Sequence, residues 1–202
     1  MKKPDLVLAG DRKKVDIKNK NLNLDIKPLY DGKKYFLRTY GCQMNVHDSE
    51  EIKYYLEALG YKECDALEEA DIVVLNTCAI RENAKDKVFG YLGRCKHLKK
   101  IKKDLIIVIA GCLMQKPNEI EEIQNKHKYI DIIIGTHNLN ELPDLIKKAN
   151  ESQKQDIEVY SNSDIIFENV KYNRDSKITA WINIIYGCDK FCTYCIVPFT
   201  RG

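Results

Sequence analysis

Three apolar runs constrain the fold of this chain more than any other feature. They are Asp71-Ile72-Val73-Val74-Leu75, Leu105-Ile106-Ile107-Val108-Ile109-Ala110, and Ile130 to Ile134. A strand with water on one side alternates apolar and polar residues, whereas near-continuous β-branched runs suit strands covered on both faces. Tyr35-Phe36-Leu37-Arg38-Thr39-Tyr40 reads as a strand ahead of them. Helical stripes lie between the runs: Ile52, Tyr55, Leu56 and Leu59, then Ala84, Val88, Tyr91, Cys95 and Leu98. Asp48 with Glu51 suggests the start of the first helix through a capping box. Pro117 opens a short third helix, where its missing N–H costs nothing, and Leu139 to Ala149 makes the last one.

Strands alternating with helices imply βαβ units, right-handed crossovers and a parallel sheet. The fold class expected over residues 33–149 is therefore α/β, a doubly wound parallel sheet of about four or five strands, flavodoxin-like or Rossmann-like. Residues 1–32 are polar and lysine-rich and read as an N-terminal extension, with Leu22, Leu24 and Ile26 as scattered apolar positions. Residues 150–176 read as a linker with a short possible strand at Ile157 to Tyr160. Within 177–202, Ile178 to Ile185 reads as a new strand running into a cysteine-rich loop. The sequence stops directly after that loop, as expected for the front part of a longer protein. The net charge of +3 is too small to mark a nucleic-acid binder by itself. With no apolar leader or span, a cytoplasmic protein with reduced cysteines is expected.

Of the eight cysteines, six fall into two sets of three. Cys42, Cys78 and Cys112 each lie just past the end of a predicted strand. Parallel strands deliver those loops to one edge, the carboxyl edge, where open α/β sheets bind ligands. Gly41 and Gly111 precede two of the three, which lets backbone approach a ligand closely. Cys188, Cys192 and Cys195 form a compact set in Gly187-Cys188-Asp189-Lys190-Phe191-Cys192-Thr193-Tyr194-Cys195. Soft thiolates hold 4Fe–4S clusters, usually four to a cluster, so each trio suits a cluster with one iron left open. A zinc site would want a fourth protein ligand, and none follows the compact loop before Gly202, so a zinc site would have to be completed by sequence beyond it. Cys95 sits on a helical apolar stripe and reads as core; Cys64 precedes the second strand and is given no role.

The compact loop resembles the signature of the radical S-adenosylmethionine enzymes. Thr39-Tyr40-Gly41-Cys42-Gln43-Met44-Asn45, Asn76-Thr77-Cys78-Ala79-Ile80-Arg81-Glu82-Asn83-Ala84 and Gly187 through Gly202 closely resemble the MiaB-type tRNA methylthiotransferase family. The resemblance implies an N-terminal domain carrying an auxiliary 4Fe–4S cluster on Cys42, Cys78 and Cys112. It implies a second 4Fe–4S cluster on Cys188, Cys192 and Cys195, which begin a radical S-adenosylmethionine partial (β/α) barrel of which most lies beyond residue 202. It further implies S-adenosylmethionine as cofactor, with Tyr194 against its adenine, and a tRNA substrate methylthiolated at carbon 2 of isopentenyladenosine next to the anticodon. Relatives acting on threonylcarbamoyl-adenosine or on a ribosomal-protein aspartate are the alternatives within the family. A non-catalytic iron–sulfur or zinc module is the alternative outside it. These 202 residues alone are expected to be inactive, with a poorly supported compact loop.

Other polar features have plainer readings. Arg94 to Lys103 is a dense basic run that suits a solvated helix end, where cations offset the helix dipole, better than a tRNA-phosphate contact. Asn45 and Asn76 flank cluster cysteines and suit loop orientation or capping as well as bonds to cluster sulfur. His47 and His137 read as capping or surface residues.

Overall fold

A computed structural model describes residues 18–21, 25–80, 82–152, 155–160, 165–168, 170–174 and 176–202. The first strand, β1 (Lys18–Asn21), is followed by β2 (Lys34–Tyr40), α1 (Gln43–Ala58), β3 (Lys62–Glu63), β4 (Ile72–Thr77), α2 (Glu82–Ile101) and β5 (Ile106–Ala110). Then come α3 (Pro117–Lys126), β6 (Ile132–Ile134), α4 (Leu142–Ser152), β7 (Asp156–Glu158), β8 (Ile165–Glu168) and α5 (Val197–Thr200). Six strands form one sheet in the order β3-β2-β4-β5-β6-β7, with every neighbouring pair parallel.

The β-branched runs bury both faces, as their composition requires. Val74, Val108 and Ile132 meet Ile52 and Leu56 of α1 and Leu142 and Ile146 of α4 in one core. Val73, Leu75, Ile107, Ile109 and Ile133 meet Val88, Leu92 and Cys95 of α2 and Ile120 and Ile123 of α3 in the other. The expected doubly wound α/β fold is therefore the fold observed. Between β2 and β4 the winding reverses: α1 leaves β2 toward one face and α2 leaves β4 toward the other. Such a switch point opens a crevice at the carboxyl ends of the two strands.

Several boundaries differ from the sequence expectation. The sheet has two more edge strands than the apolar runs reveal. β3 is a two-residue polar strand, and β7 pairs Asp156 with Ile132 and Glu158 with Ile134 inside the segment read as linker. The first helix begins at Gln43, five residues before the expected cap, so Asp48 lies within the helix and Cys42 is its N-cap. Residues 178–185 form no strand, and Ile178, Ile182, Ile184 and Ile185 are exposed. The reason is physical: a strand needs a hydrogen-bonding neighbour, and no described strand of this chain lies beside the segment. Part of the N-terminal extension is ordered against the domain. Leu29 and Tyr30 donate their N–H groups to the Leu59 carbonyl and Tyr30 packs on Tyr61, whereas β1 pairs with β8 in a separate two-stranded sheet. Leu22 and Leu24 lie outside the described residues. Among the described residues, no helix is long and apolar enough to cross a membrane.

The basic run closes the opposite end of the sheet from the cysteine loops. Lys99 pairs with Asp131, just ahead of β6, and Lys102 with Asp71, just ahead of β4. Arg94 pairs with Glu68. The run is thus an electrostatic seal at the amino edge.

Ile107 is 0% exposed and Ile178 is 96% exposed. Ile107→Ala is expected to lower unfolding stability by about 2–5 kcal/mol, and Ile178→Ala by less than about 0.5 kcal/mol, in chemical denaturation.

Candidate metal centre

Strand register fixes where the dispersed cysteines emerge. Tyr40 is paired with Thr77, and Asn76 with Ala110. Cys42 follows β2 by two residues, Cys78 follows β4 by one, and Cys112 follows β5 by two. All three therefore leave the carboxyl edge of three adjacent strands, and Cys42 and Cys78 flank the switch point.

A buried amide network locks these loops together. Asn76 Nδ2 donates to the Asn45 carbonyl at 2.8 Å and to Ser49 Oγ at 2.9 Å. Asn45 Nδ2 donates to Asn76 Oδ1 at 3.2 Å and to the Thr77 carbonyl at 3.4 Å. The Cys42 N–H in turn donates to Asn45 Oδ1 at 3.3 Å, and the Cys78 N–H to the Tyr40 carbonyl at 2.9 Å. The two asparagines thus orient the cysteine loops through backbone, as one of their sequence readings held.

The same network gives the glycines a steric role. A Cβ on Gly41 would stand 2.2 Å from Asn45 Oδ1. One on Gly111 would stand 2.4 Å from Asn76 Oδ1 and 2.5 Å from the Thr77 carbonyl oxygen, at a backbone φ of +101°. Each glycine makes room for an asparagine.

Electrostatics at this edge is uneven. Cys78 and Cys112 are buried and Cys42 is half-buried. Burial pushes the Cys112 thiol up to about 12, although Arg201 works against that shift. Arg201 Nε lies 3.1 Å from Cys112 Sγ, while its two terminal nitrogens bond Asp48 Oδ1 and Oδ2 at 3.0 and 2.6 Å. For the Arg201 guanidinium, burial disfavours the charge, but Asp48 and Cys112 more than offset it and raise the pKa. Cys42 caps α1, whose first turn carries no acidic residue, so the positive end of the helix dipole lies at the edge and favours negative charge there.

The compact loop reaches the same edge. Thr136, just past β6, accepts from Gln115 Nε2 at 3.1 Å and donates to the Thr200 carbonyl at 2.7 Å. The Cys188 N–H donates to the Gly202 carbonyl at 2.8 Å. His47 packs against Tyr172 with ring centroids 4.5 Å apart and the rings tilted by 51°, and shares a hydrogen bond with Asn183; burial lowers its pKa. His137 lies beside Gly202. The loop is therefore better anchored than expected at its C-terminal side, although Cys188, Cys192 and Tyr194 remain exposed.

All eight cysteines are free thiols. Among the described residues, no group of three or more His, Cys, Asp or Glu side chains stands ready to enclose an ion. The donor chemistry nonetheless fits an iron–sulfur cluster better than any hard cation, because thiols dominate both sets. Cys95 is core, its thiol pushed up to about 11 by burial, and Cys64 donates to the Tyr35 carbonyl at 3.2 Å, away from the carboxyl edge. Arg201 and Asp48 escaped sequence reasoning. The only signal was an arginine closing an otherwise uncharged run from Cys195 and an aspartate facing inward on a helix.

Gly111→Ala is expected to destabilise the protein by about 2 kcal/mol or more, since backbone and a buried amide must both shift. Gly93, inside α2, has open space where a Cβ would go. Gly93→Ala is expected to be neutral or stabilising by up to about 1 kcal/mol in the same denaturation assay.

Comparison with known proteins agrees with this architecture. Residues 34–135 match the model of the uncharacterized protein family UPF0004. A protein of Oceanobacillus iheyensis named tRNA-2-methylthio-N(6)-dimethylallyladenosine synthase is 48% identical over 202 residues, covering 98% of this chain and 39% of the relative. Proteins of the same name from Shouchella clausii and Bacillus subtilis are 54% identical over 171 residues and 50% identical over 176 residues. They are covered over 33% and 35% of their lengths, for 85% and 87% of this chain. The chain thus spans roughly two fifths or less of the relatives it matches. With the family model covering 34–135, the whole parallel core from β2 to β6, the chain belongs to the UPF0004 family.

Proposed function

We propose that this chain is part of a tRNA methylthiotransferase that modifies carbon 2 of isopentenyladenosine, as the name shared by its relatives describes for them. The observation that carries the proposal is the convergence of cysteine loops. Three cysteines leave adjacent strand ends, and the segment bearing the other three is anchored to the same edge.

In this reading Cys42, Cys78 and Cys112 hold one 4Fe–4S cluster, and Cys188, Cys192 and Cys195 hold the other. Tyr194 flanks the adenine of S-adenosylmethionine. When bound, such clusters supply the electron that cleaves S-adenosylmethionine to a radical and an open iron for the transferred sulfur group. The residues of this chain position and tune. Asn45 and Asn76 keep the loops in register. The α1 N-terminus favours the anionic centre. Cys112, protonated while buried and unligated, must release its proton on ligation, which couples loading to pH. The ion pairs of Lys99 with Asp131 and of Lys102 with Asp71 support the solvated helix-end reading of the basic run over a tRNA-phosphate contact for those two side chains.

Anaerobic reconstitution of the complete enzyme is expected to give about eight irons per chain, and about four when Cys42, Cys78 and Cys112 are replaced together by alanine. Mass analysis of tRNA from a deletion strain should show loss of the methylthio group on isopentenyladenosine. Loss on threonylcarbamoyl-adenosine instead, or on a ribosomal protein, would reassign the substrate, and zinc in place of iron would sink the proposal.

A further inference from the structure

At the carboxyl edge the Arg201 guanidinium is gripped from two sides. Its side chain is 9% exposed and that of Asp48 is 7% exposed. Burying an ion pair is costly unless the geometry is excellent and the remaining donors are used. Here the fork meets both carboxylate oxygens and the third nitrogen, Nε, meets Cys112 Sγ. A hydrophobic residue would fill the space at lower desolvation cost, so the pair specifies an arrangement rather than bulk stability. The backbone extends the link. Arg201 N–H donates to the Val197 carbonyl, Thr200 accepts from Thr136, and the carbonyl of Gly202 accepts from Cys188 N–H. A continuous path therefore runs from the sulfur of Cys112, through Arg201 and one peptide unit, to the backbone of Cys188.

We infer that Arg201 is a positioning residue that clamps the compact-cysteine segment onto the dispersed set and donates a hydrogen bond to a ligand sulfur, with Asp48 holding its guanidinium in place. The inference rests on the proposed function for the ligand role of Cys112. A donor to a coordinating sulfur withdraws charge from it and raises the reduction potential of the centre. Asp48 fixes the fork, so the Nε direction does not depend on the flexible stem of the arginine. The clamp makes the first trio sensitive to whether the second is seated.

Two readouts separate the clamp from the cluster. The first is amide hydrogen exchange of the iron-free chain at Cys188 and Arg201. Arg201→Met is expected to speed it about tenfold or more, as loss of a charge-assisted hydrogen bond implies. The double variant D48N/R201M removes both buried charges and leaves no ion unpaired. It is expected to show the same fast exchange with the sheet intact by circular dichroism. The second readout is the midpoint potential and electron paramagnetic resonance signal of the chain carrying alanine at Cys188, Cys192 and Cys195, reconstituted with ferrous iron and sulfide. Both variants are expected to shift the potential to more negative values at unchanged iron content. Arg201→Lys keeps the charge but cannot serve Asp48 and Cys112 together. It is expected to restore slow exchange while leaving the potential shifted. Exchange within twofold of wild type in both variants would overturn the clamp, and an unmoved potential at full iron content would overturn the sulfur contact. Should the wild-type trio take up no iron, the cluster reading fails, and the exchange experiment still decides the clamp.

Discussion

Burial of both faces of β4 and β5 is the constraint on which the remainder of the molecule depends. Val73, Val74, Leu75, Ile107, Val108 and Ile109 have no solvated side, so helices must cover the sheet above and below. Parallel crossovers follow, and with them a single edge at which every strand hands over to a loop. At roughly 25 cal/mol per Å² of apolar surface, the two cores supply the stability that lets polar loops at that edge carry glycines, buried amides and an ion pair. The loops bearing Cys42, Cys78 and Cys112 leave one edge because the sheet is parallel.

The loops use that freedom in a consistent way. Beside the buried Leu113 and Met114, the edge carries side-chain amides, hydroxyls and a guanidinium. Asn45, Ser49 and Asn76 satisfy one another and neighbouring carbonyls. Such a network is rigid when complete and costly when broken, because each orphaned group stays buried. It explains why glycine stands ahead of both Cys42 and Cys112: the space beside each is taken by an asparagine. Rigid loops with polar interiors can hold thiols near one another without apolar contacts that a bound inorganic group would disrupt.

Much of this was legible in the sequence, and the reason is local. Strands β4, β5 and β6 announce themselves by aliphatic runs and β2 by its aromatic-rich stretch, and the dispersed cysteines by standing just after β2, β4 and β5. β3 and β7 were not legible or only half so, because two or three residues with charged side chains carry no period; neighbouring strands create them. The helix start at Gln43 was hidden because cysteine is an uncommon cap, while Asp48 offered a stronger local signal that tertiary pairing with Arg201 overrode. Ile178 to Ile185 showed the opposite failure. Its composition favours a strand, yet backbone pairing is a property of two segments, and composition describes only one. The Arg201 contact spans 153 positions from Asp48, a separation at which no pattern speaks.

The stretch Trp181-Ile182-Asn183-Ile184-Ile185-Tyr186 has a consequence for handling as well as for architecture. It is uncharged, free of proline and glycine, rich in β-branched and aromatic residues, and largely open to water. That is the composition of segments that stack into cross-β fibrils. An exposed stretch of this composition favours strand-to-strand association between copies, and a charge at Ile184 would oppose it.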